Sequence, residues 1–373
     1  MTNRNTKFLF LTIALLLSNG LMTSCGESNE KGQENVDITT LTEEEIAEYK
    51  KEEIVIYTNS GSGGRATWWK QRAKEEGFNI NIITGGASAM AEKIKAEKRN
   101  PQADVIWGLN AMEWEDLKAN DCLLPYNPSW KDEVSEGLND EDGYYYAINK
   151  EAILLVYDNK HWSESEAPKD WLDLWNKEQY YGTYQCWSSL TGGTTQSNLA
   201  GILSRFRSGE KNAKYGVSPE GWAEIKKMYN NGVSASGDVI NAIAATSGVN
   251  KNVHCGQWYS SGIQSYSETY RVSLSYVVPE VGVPQVITGC GITKLSKKAV
   301  TAQLFLDWCG GSTFQTEWAQ TWDTSPANEV ALNAGSSDFA KECANLPKQD
   351  IDWSWAQKHM GEWVEYITLQ FMK

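Results

Sequence analysis

The sequence predicts an α/β fold built as two lobes, and three observations lead to that prediction. Strand-like and helical patterns alternate with short connections over residues 54–108, as in a parallel sheet covered by helices on both faces. The chain has 373 residues, enough for two domains of on the order of 150 residues each. Extended stretches at 144–157 and at 272–278 with 285–292 can cross from one lobe to the other.

The alternation can be followed element by element. Strands are predicted at 54–57, 79–84 and 105–108, and helices at 66–76 and 87–98. The first strand is a run of β-branched and aromatic residues, which is typical of a buried parallel strand. Met90 and Ile94 stand one turn apart while charged residues fill the other positions, so the second helix is predicted to be amphipathic.

Helical patterns dominate the second half of the chain. Helices are predicted at 221–229, 238–245, 298–309 and 353–371. Gly310 and Gly311 end the third of these, because glycine readily terminates a helix. Ser312 and Gln315 then have the spacing of a capping box for another helix.

Small residues precede three helical patterns, and they supply neutral hydrogen-bond donors. The first loop contains Ser60, Ser62 and Gly63, the second Gly86, Ala87 and Ser88, and the third Thr191, Gly193, Thr194 and Thr195. The first turn of a helix leaves amide groups unpaired, and these amides attract anions. Arg65 can add a charge-assisted hydrogen bond. The loops therefore predict a site for the phosphate, phosphonate or carboxylate group of an organic solute.

The N-terminus resembles that of an exported bacterial lipoprotein. Lys7 precedes an apolar run at 8–17, which is too short to span a bilayer but suits a signal peptide. The segment LMTSC then resembles a lipoprotein processing box, so residues 1–25 are a predicted signal peptide that ends at an acylated Cys25. Polar residues 26–52 form a predicted tether. We expect the protein to be anchored by lipid in the cell envelope, facing the periplasm or the exterior.

Composition excludes one class of partner and leaves the cysteines undecided. The formal net charge is -14, whereas nucleic-acid binders need a basic surface, so nucleic acid is not an expected partner. Besides Cys25, six cysteines remain, which could pair in fifteen ways or stay as buried free thiols. The 17 Trp and 17 Tyr include more large rings than a core needs, so a few are expected at a binding site.

Motifs of common enzyme classes are absent from the sequence. It contains no GxSxG elbow, no HExxH zinc helix, no Walker A loop and no CxxC pair. Its three histidines lie in unrelated contexts. The expectation is therefore that the protein is not an enzyme and needs no cofactor.

Several segments together resemble the extracellular solute-binding proteins of bacterial ABC importers. They are IVIYTNSGSGG, ITGGASAMAEKIKAEKRNPQADVIWGLN, YYYAINKEAILLVYDN and VITGCGITKLSKKAVTAQLFLDW. The resemblance is to the group that binds ferric ion, thiamine, phosphonates and sugar phosphates. It implies a type II periplasmic-binding-protein fold, with an N-terminal lobe at 53–148 and 286–326 and a C-terminal lobe at 149–285 and 327–373. It also implies a monomer that delivers a small solute to a permease and its ATPase subunit.

The resemblance and the loops together suggest the ligand contacts. Asn110 follows the third strand and joins the donors of the loops. Trp258, Tyr259 and Trp187 are expected to cover the organic part of the solute or to lie over an amine. Trp322 lies in TWDTSPANEVAL, a segment similar to the cleft region of thiamine binders.

Other functions remain open on the sequence alone. A ferric receptor would have Tyr259 and Tyr266 as candidate metal ligands, although the first loop lacks a histidine and the stretch VHCGQWYSSGIQSY has Tyr259 beside Trp258 in place of a tyrosine pair. A thiamine receptor of the same family is another alternative. From other classes, the alternatives are a surface adhesin or structural lipoprotein, and an enzyme without a recognisable motif.

Overall fold

The structure is a computed structural model that describes residues 36–234, 239–244, 252–261 and 263–372. The predicted signal peptide and Cys25 lie outside these residues. Within them, no helix combines the length and the apolar character that a membrane span requires. Strands and helices alternate along the described chain, so the predicted α/β class is confirmed.

The first strands and helices form where the sequence predicts them. Strand β1 (Glu53–Thr58) lies between β2 (Asn79–Thr84) and β3 (Val105–Asn110), and both neighbours run parallel to it. The connecting helices include α2 (Arg65–Glu75) and α3 (Ala87–Glu97). Because parallel strands point the same way, the C-terminal ends of β1 and β3 meet at one edge of the sheet.

Two long strands extend this sheet toward the second half of the fold. Strand β10 (Gln285–Thr293) lies antiparallel between β3 and the first half of β5 (Tyr146–Asp158). The second half of β5 pairs with β8 (Cys255–Tyr259) and β9 (Leu274–Val277). The extended stretch predicted at 144–157 is thus one strand with different neighbours at its two ends. The residue limits of the two lobes stay a prediction.

The sheet order is β2-β1-β3-β10-β5-β8, with two strands attached beside this path. Strand β4 (Leu123–Leu124) pairs with β10, and β9 pairs with β5. A separate pair consists of β6 (Gln185–Cys186) and β7 (Val233–Ser234). The other helices described are α1 (Glu43–Lys50), α4 (Ala111–Ala119), α5 (Asp173–Asn176), α6 (Gly193–Ser204), α7 (Pro219–Asn231), α8 (Val239–Ala244), α9 (Ile263–Tyr270), α10 (Ala299–Gly310), α11 (Ser312–Trp322), α12 (Glu329–Gly335), α13 (Asp338–Ala344) and α14 (Trp353–Gln370).

Large aromatic rings fill much of the core. Trp69 stacks on Phe305 with ring centroids 5.8 Å apart, and Trp363 lies 4.8 Å from Trp355 in a second cluster. Buried rings of this size remove large apolar areas from water and therefore stabilise the core strongly. The six cysteines of the described chain are buried and free, so the thiol alternative holds for them and the disulfide alternative does not.

Part of the predicted tether is folded instead. Helix α1 begins after Thr42, whose side chain and that of Glu45 cap each other's backbone amides. Ile46 and Tyr49 stand about one turn apart and pack against the core cluster that contains Trp69. The tether prediction for 26–52 is therefore wrong over the helix, because these apolar residues have a core surface to cover.

The capping box predicted for α11 is also wrong. The residue before the helix is Gly311, and Ser312 is already its first helical residue. The Gln315 amide instead donates a hydrogen bond to the Cys309 carbonyl at 2.6 Å. The short Gly310-Gly311 turn between the two helices shifts the start of α11 by one residue.

Candidate ligand-binding site

A cavity of about 230 Å³ lies at the edge of the sheet where β1 and β3 end. Its wall also takes residues from β5, β8, β10 and from helices α2, α6 and α11. The polar residues on the wall are Asn59, Ser60, Ser62, Arg65, Asn110, Asn149, Glu151, Thr194, Ser261, Thr288, Gln315 and Thr324, beside Gly193 and the ring of Tyr259. The structure therefore brings the first and third predicted loops together around one space.

The first loop approaches the end of β3 closely. Gly108 has a φ of 89°, in the left-handed region that favours glycine. A Cβ at this position would collide with the side chains of Ser60 and Asn59. The Ser60 amide donates to the Thr58 hydroxyl at 2.9 Å, which fixes the start of the loop. Glycine at 108 thus allows the loop to sit against the strand end.

Arg65 lines the cavity, and its guanidinium lies over the ring of Trp322. Arg65 is the first residue of α2, and its guanidinium lies 5.3 Å from the centroid of the Trp322 ring. The Trp322 ring packs edge-on against Trp68, with centroids 6.4 Å apart, and lies tilted against Trp318, with centroids 6.2 Å apart. Trp322, expected among the ligand contacts, is absent from the described cavity wall and instead orients Arg65 by a cation–π contact.

The start of α6 faces the same cavity through Gly193 and Thr194. Gly192 precedes this helix and has no side chain to cap it. The twelve-residue helix therefore presents uncapped amides and the positive end of its dipole to the cleft. Such an end binds anions.

Asn110 lies on the cavity wall, but its side-chain oxygen is already hydrogen-bonded to the protein backbone. Its Oδ1 accepts a hydrogen bond from the Met112 amide at 2.9 Å and caps α4. Glu113 completes this capping box by accepting from the Asn110 amide at 3.1 Å. The side-chain nitrogen Nδ2 of Asn110 is the group that is left to donate to a ligand.

The second predicted loop lies apart from the cavity wall. Ala87 is buried in a core cluster, and Gly86 precedes α3 without a capping side chain. Ser88 lines another cavity, where its hydroxyl lies 3.4 Å from Glu113 Oε1 and 3.5 Å from Gln196 Oε1. Burial raises the pKa of Glu113 to about 7. Ser88 thus lies at a different cavity from the one that Arg65 lines, and ligand contacts of this loop stay a prediction.

A neighbouring cavity of about 400 Å³ is lined by the other residues of this region that were predicted to contact the ligand. It is lined by Trp187, Thr191, Thr195 and Trp258, and it shares Thr194 and Tyr259 with the first cavity. The rings of Trp258 and Tyr259 stack with centroids 4.7 Å apart at 17°. Gly63, from the first loop, has a φ of 63° and shapes that loop without standing on the described wall. Tyr259 is therefore the predicted ring that reaches the first cavity.

Glu151 is the most important residue that sequence reasoning missed. It lies on β5, and its Oε1 accepts hydrogen bonds from Ser261 Oγ at 2.7 Å and from Asn149 Nδ2 at 2.9 Å. Burial raises the pKa of Glu151, while these hydrogen bonds and the charge of Arg65 act in the opposite direction. Period-two alternation along the extended stretch could have placed residues 149, 151 and 153 on one face. Nothing local indicated that this face is the cleft.

The ferric alternative finds only part of a metal site. Tyr259 and Glu151 line the same cavity and offer phenol and carboxylate oxygen, the kind of ligand that hard cations prefer. The side chain of Tyr266 lies outside the described part. Among the residues that the structure describes, no group of three His, Cys, Asp or Glu side chains could hold a metal ion.

Comparison with known proteins gives the chain its family. The family model for bacterial extracellular solute-binding proteins matches residues 68–348. A probable ABC transporter periplasmic-binding protein of Sinorhizobium fredii is 26% identical over 317 residues, which cover 85% of this chain and 86% of the relative. A putative 2-aminoethylphosphonate-binding periplasmic protein of Salmonella typhimurium is 24% identical over 193 residues, covering 49% of this chain and 51% of the relative.

A solved structure shows the same fold. The ferric binding protein of Campylobacter jejuni superposes with a TM-score of 0.68 at 19% identity, over 85% of this chain and 99% of that one. At this identity the likeness shows the two-lobed architecture alone. The family consists of solute-binding transport proteins. The chain belongs to the bacterial extracellular solute-binding proteins, the two-lobed binding components of ABC transporters.

Proposed function

We propose that this protein is the receptor of an ABC importer for a small organic solute that carries a phosphate, phosphonate or carboxylate group. The solute binds in the cleft between the first loop and the start of α6, and the receptor delivers it to a membrane permease and its ATPase subunit. The receptor works as a monomer and needs no cofactor. The 2-aminoethylphosphonate relative makes a phosphonate a natural first candidate.

One observation carries this proposal: positive groups meet across the cavity. The uncapped start of α6 faces it from one side, and the Arg65 guanidinium reaches it from α2. Hydroxyl groups of Ser60, Ser62 and Thr194 lie on the same wall and can donate to oxyanion oxygens. A cavity of about 230 Å³ suits a solute smaller than a typical drug molecule.

Calorimetric titration with three solutes tests the oxyanion site. The purified chain is titrated with 2-aminoethylphosphonate, glycerol 3-phosphate and 3-aminopropanoate, and at least one is expected to bind. Arg65→Met and Thr194→Val are each expected to weaken that binding by tenfold or more, because each loses a donor to the oxyanion. Ser88→Ala is the matched control, since Ser88 lies off the cavity wall. Equal binding by Arg65→Met and the unmodified chain would contradict the proposal.

The ferric alternative is kept because Tyr259 and Glu151 share the cavity wall. A ferric receptor would bind iron stoichiometrically and show a visible band from a tyrosinate–iron bond. Tyr259→Phe would abolish that band. Iron binding of this kind, without binding of any organic oxyanion, would replace the proposed function. Failure of every solute and of iron would favour an adhesin or structural lipoprotein.

The lipid anchor belongs to the same proposal. Acylation at Cys25 keeps a receptor beside its permease, and a single acyl chain holds a protein only weakly, so two or more chains are expected. Cells that express the full chain with Cys25→Ser should release the protein from the membrane fraction. The unmodified chain should incorporate labelled fatty acid. Membrane retention of the Cys25→Ser chain would contradict the anchor.

A further inference from the structure

Glu151 brings a carboxyl group into the cleft, and no described Lys, Arg or His side chain forms an ion pair with it. Building on the oxyanion receptor proposed above, we propose that Glu151 binds an ammonium group of the solute. The solute is then a zwitterion, with an anionic oxyacid group at one end and a cationic amine at the other.

The nearest cation along the chain is directed elsewhere. Lys150 precedes Glu151 on β5, and successive strand residues point to opposite faces. Lys150 is only 4% exposed, and its ammonium pairs with Glu329 Oε1 at 2.8 Å. The strand therefore separates the two charges, one into a structural ion pair and the other into the cleft.

Half of the Glu151 carboxyl group is already engaged. Both hydrogen bonds that described residues donate to it, from Ser261 and Asn149, end on Oε1. Oε2 receives none from the described chain. The two hydrogen bonds orient the carboxyl group, and they leave one oxygen for a donor of the ligand.

An ionised carboxylate in a partly dry cleft is costly without a cation. Burial raises the pKa of Glu151, and the charge of Arg65 lowers it only in part and without a direct ion pair. A bound ammonium group would offset the desolvation of the carboxylate. Tyr259 lines the same cavity. An oxyanion that lacks an amine would instead meet the negative charge of Glu151.

The cleft thus offers two ends of opposite sign. Arg65 and the start of α6 favour the anionic group, while Glu151 favours a cation. This combination selects amino phosphonates, amino phosphates or short amino carboxylates over their amine-free counterparts. Glu151 is in this view the residue that determines specificity.

The test compares solutes that differ only in the amine. The purified full chain is titrated with 2-aminoethylphosphonate and ethylphosphonate, and with 3-aminopropanoate and propanoate. We expect the amine to tighten binding at least tenfold within one pair. In Glu151→Gln this preference should fall to less than threefold, because the amide keeps the shape of the carboxyl group and loses its charge. Glu113→Gln is the matched control and should keep the full preference, since Glu113 lies off the cavity wall.

The outcomes separate this inference from the proposed function. Equal binding of the two members of a pair, or an unchanged amine preference in Glu151→Gln, would overturn the role of Glu151 while the oxyanion site stands. Binding of none of the four solutes would overturn the oxyanion site and this inference with it. Thermal unfolding of each variant shows whether a loss of binding reflects a loss of folding.

Discussion

Among single residues, Glu113 is expected to make the stability of the folded protein depend on pH. Its side chain is 6% exposed, and desolvation raises its pKa to about 7 from an ordinary value of 4.5. At a pH between these two pKa values, Glu113 keeps its proton in the folded protein and has lost it in the unfolded chain. Stability should therefore fall as pH rises from about 4.5 to 7 and stay level above that.

The corresponding prediction concerns Glu113→Gln. The variant cannot ionise, so it should lose this pH dependence while its side chain still accepts from the Asn110 amide. Relative to the variant, the unmodified protein should lose up to about 3 kcal/mol of unfolding free energy between pH 4.5 and pH 8. Urea unfolding at both pH values measures the difference. An equal pH dependence in the two proteins would show that Glu113 titrates normally.

Gly108 supports a second prediction at this scale. Gly108→Ala should destabilise the protein by about 2 kcal/mol, because its φ is 89° and a Cβ would collide with Ser60 and Asn59. It should also weaken solute binding, since the first loop would shift. Gly86→Ala is the control, as nothing lies within 4 Å of its Cβ position and its φ is −67°. Urea unfolding that ranks the two variants equally would contradict this reading.

At the scale of elements, the long strand β5 joins the binding site to the framework. Asn149 and Glu151 line the cleft, while Lys150 between them pairs with Glu329 at the start of α12. Burial raises the pKa of Glu329, but hydrogen bonds from Lys150 and Ser135 outweigh this effect and lower it overall. Because successive side chains of β5 point to opposite faces, the same strand lines the cleft on one face and forms an ion pair on the other.

The ion pair should respond unequally to loss of either partner. Glu329→Gln should cost about 2 kcal/mol, because the charge of Lys150 stays buried at 4% exposure. Lys150→Met should cost about 1 kcal/mol or less, because Glu329 is 43% exposed and can turn to water. Urea unfolding of both variants measures the order. A larger loss in Lys150→Met than in Glu329→Gln would contradict this order.

Elements of regular period were the most predictable from sequence. The strands at 54–57 and 79–84 and the helix at 87–98 differ from the structure by no more than a residue at either end. Their signal is local, because side-chain alternation and the helical period are visible in neighbouring residues. Helix α1 and the start of α11 were missed, since the first depends on a distant core surface and the second on a two-glycine turn.

At the scale of the whole molecule, the cleft should couple solute binding to stability. Its wall combines the ends of β1 and β3 with β5, β8 and the start of α6, segments far apart in the chain. A solute present at a hundred times its Kd should stabilise the folded protein by about 2.7 kcal/mol. For a chain of this size we expect the melting temperature to rise by roughly 5 °C. Thermal unfolding measures this shift, which a tenfold or greater loss of affinity in Arg65→Met should reduce to about half or less at the same solute concentration.

Local sequence patterns predicted the α/β class, the order of most elements, the family resemblance and two of the loops that reach the cleft. These features depend on local period, turn chemistry and short motifs. Three other features follow from the packing of distant segments: Ser88 lies near Glu113, Trp322 contacts Arg65, and Glu151 lines the cavity. Each of these features depends on which segments pack against a given strand face or loop. Those partners lie tens to hundreds of residues away, where no local pattern can indicate them.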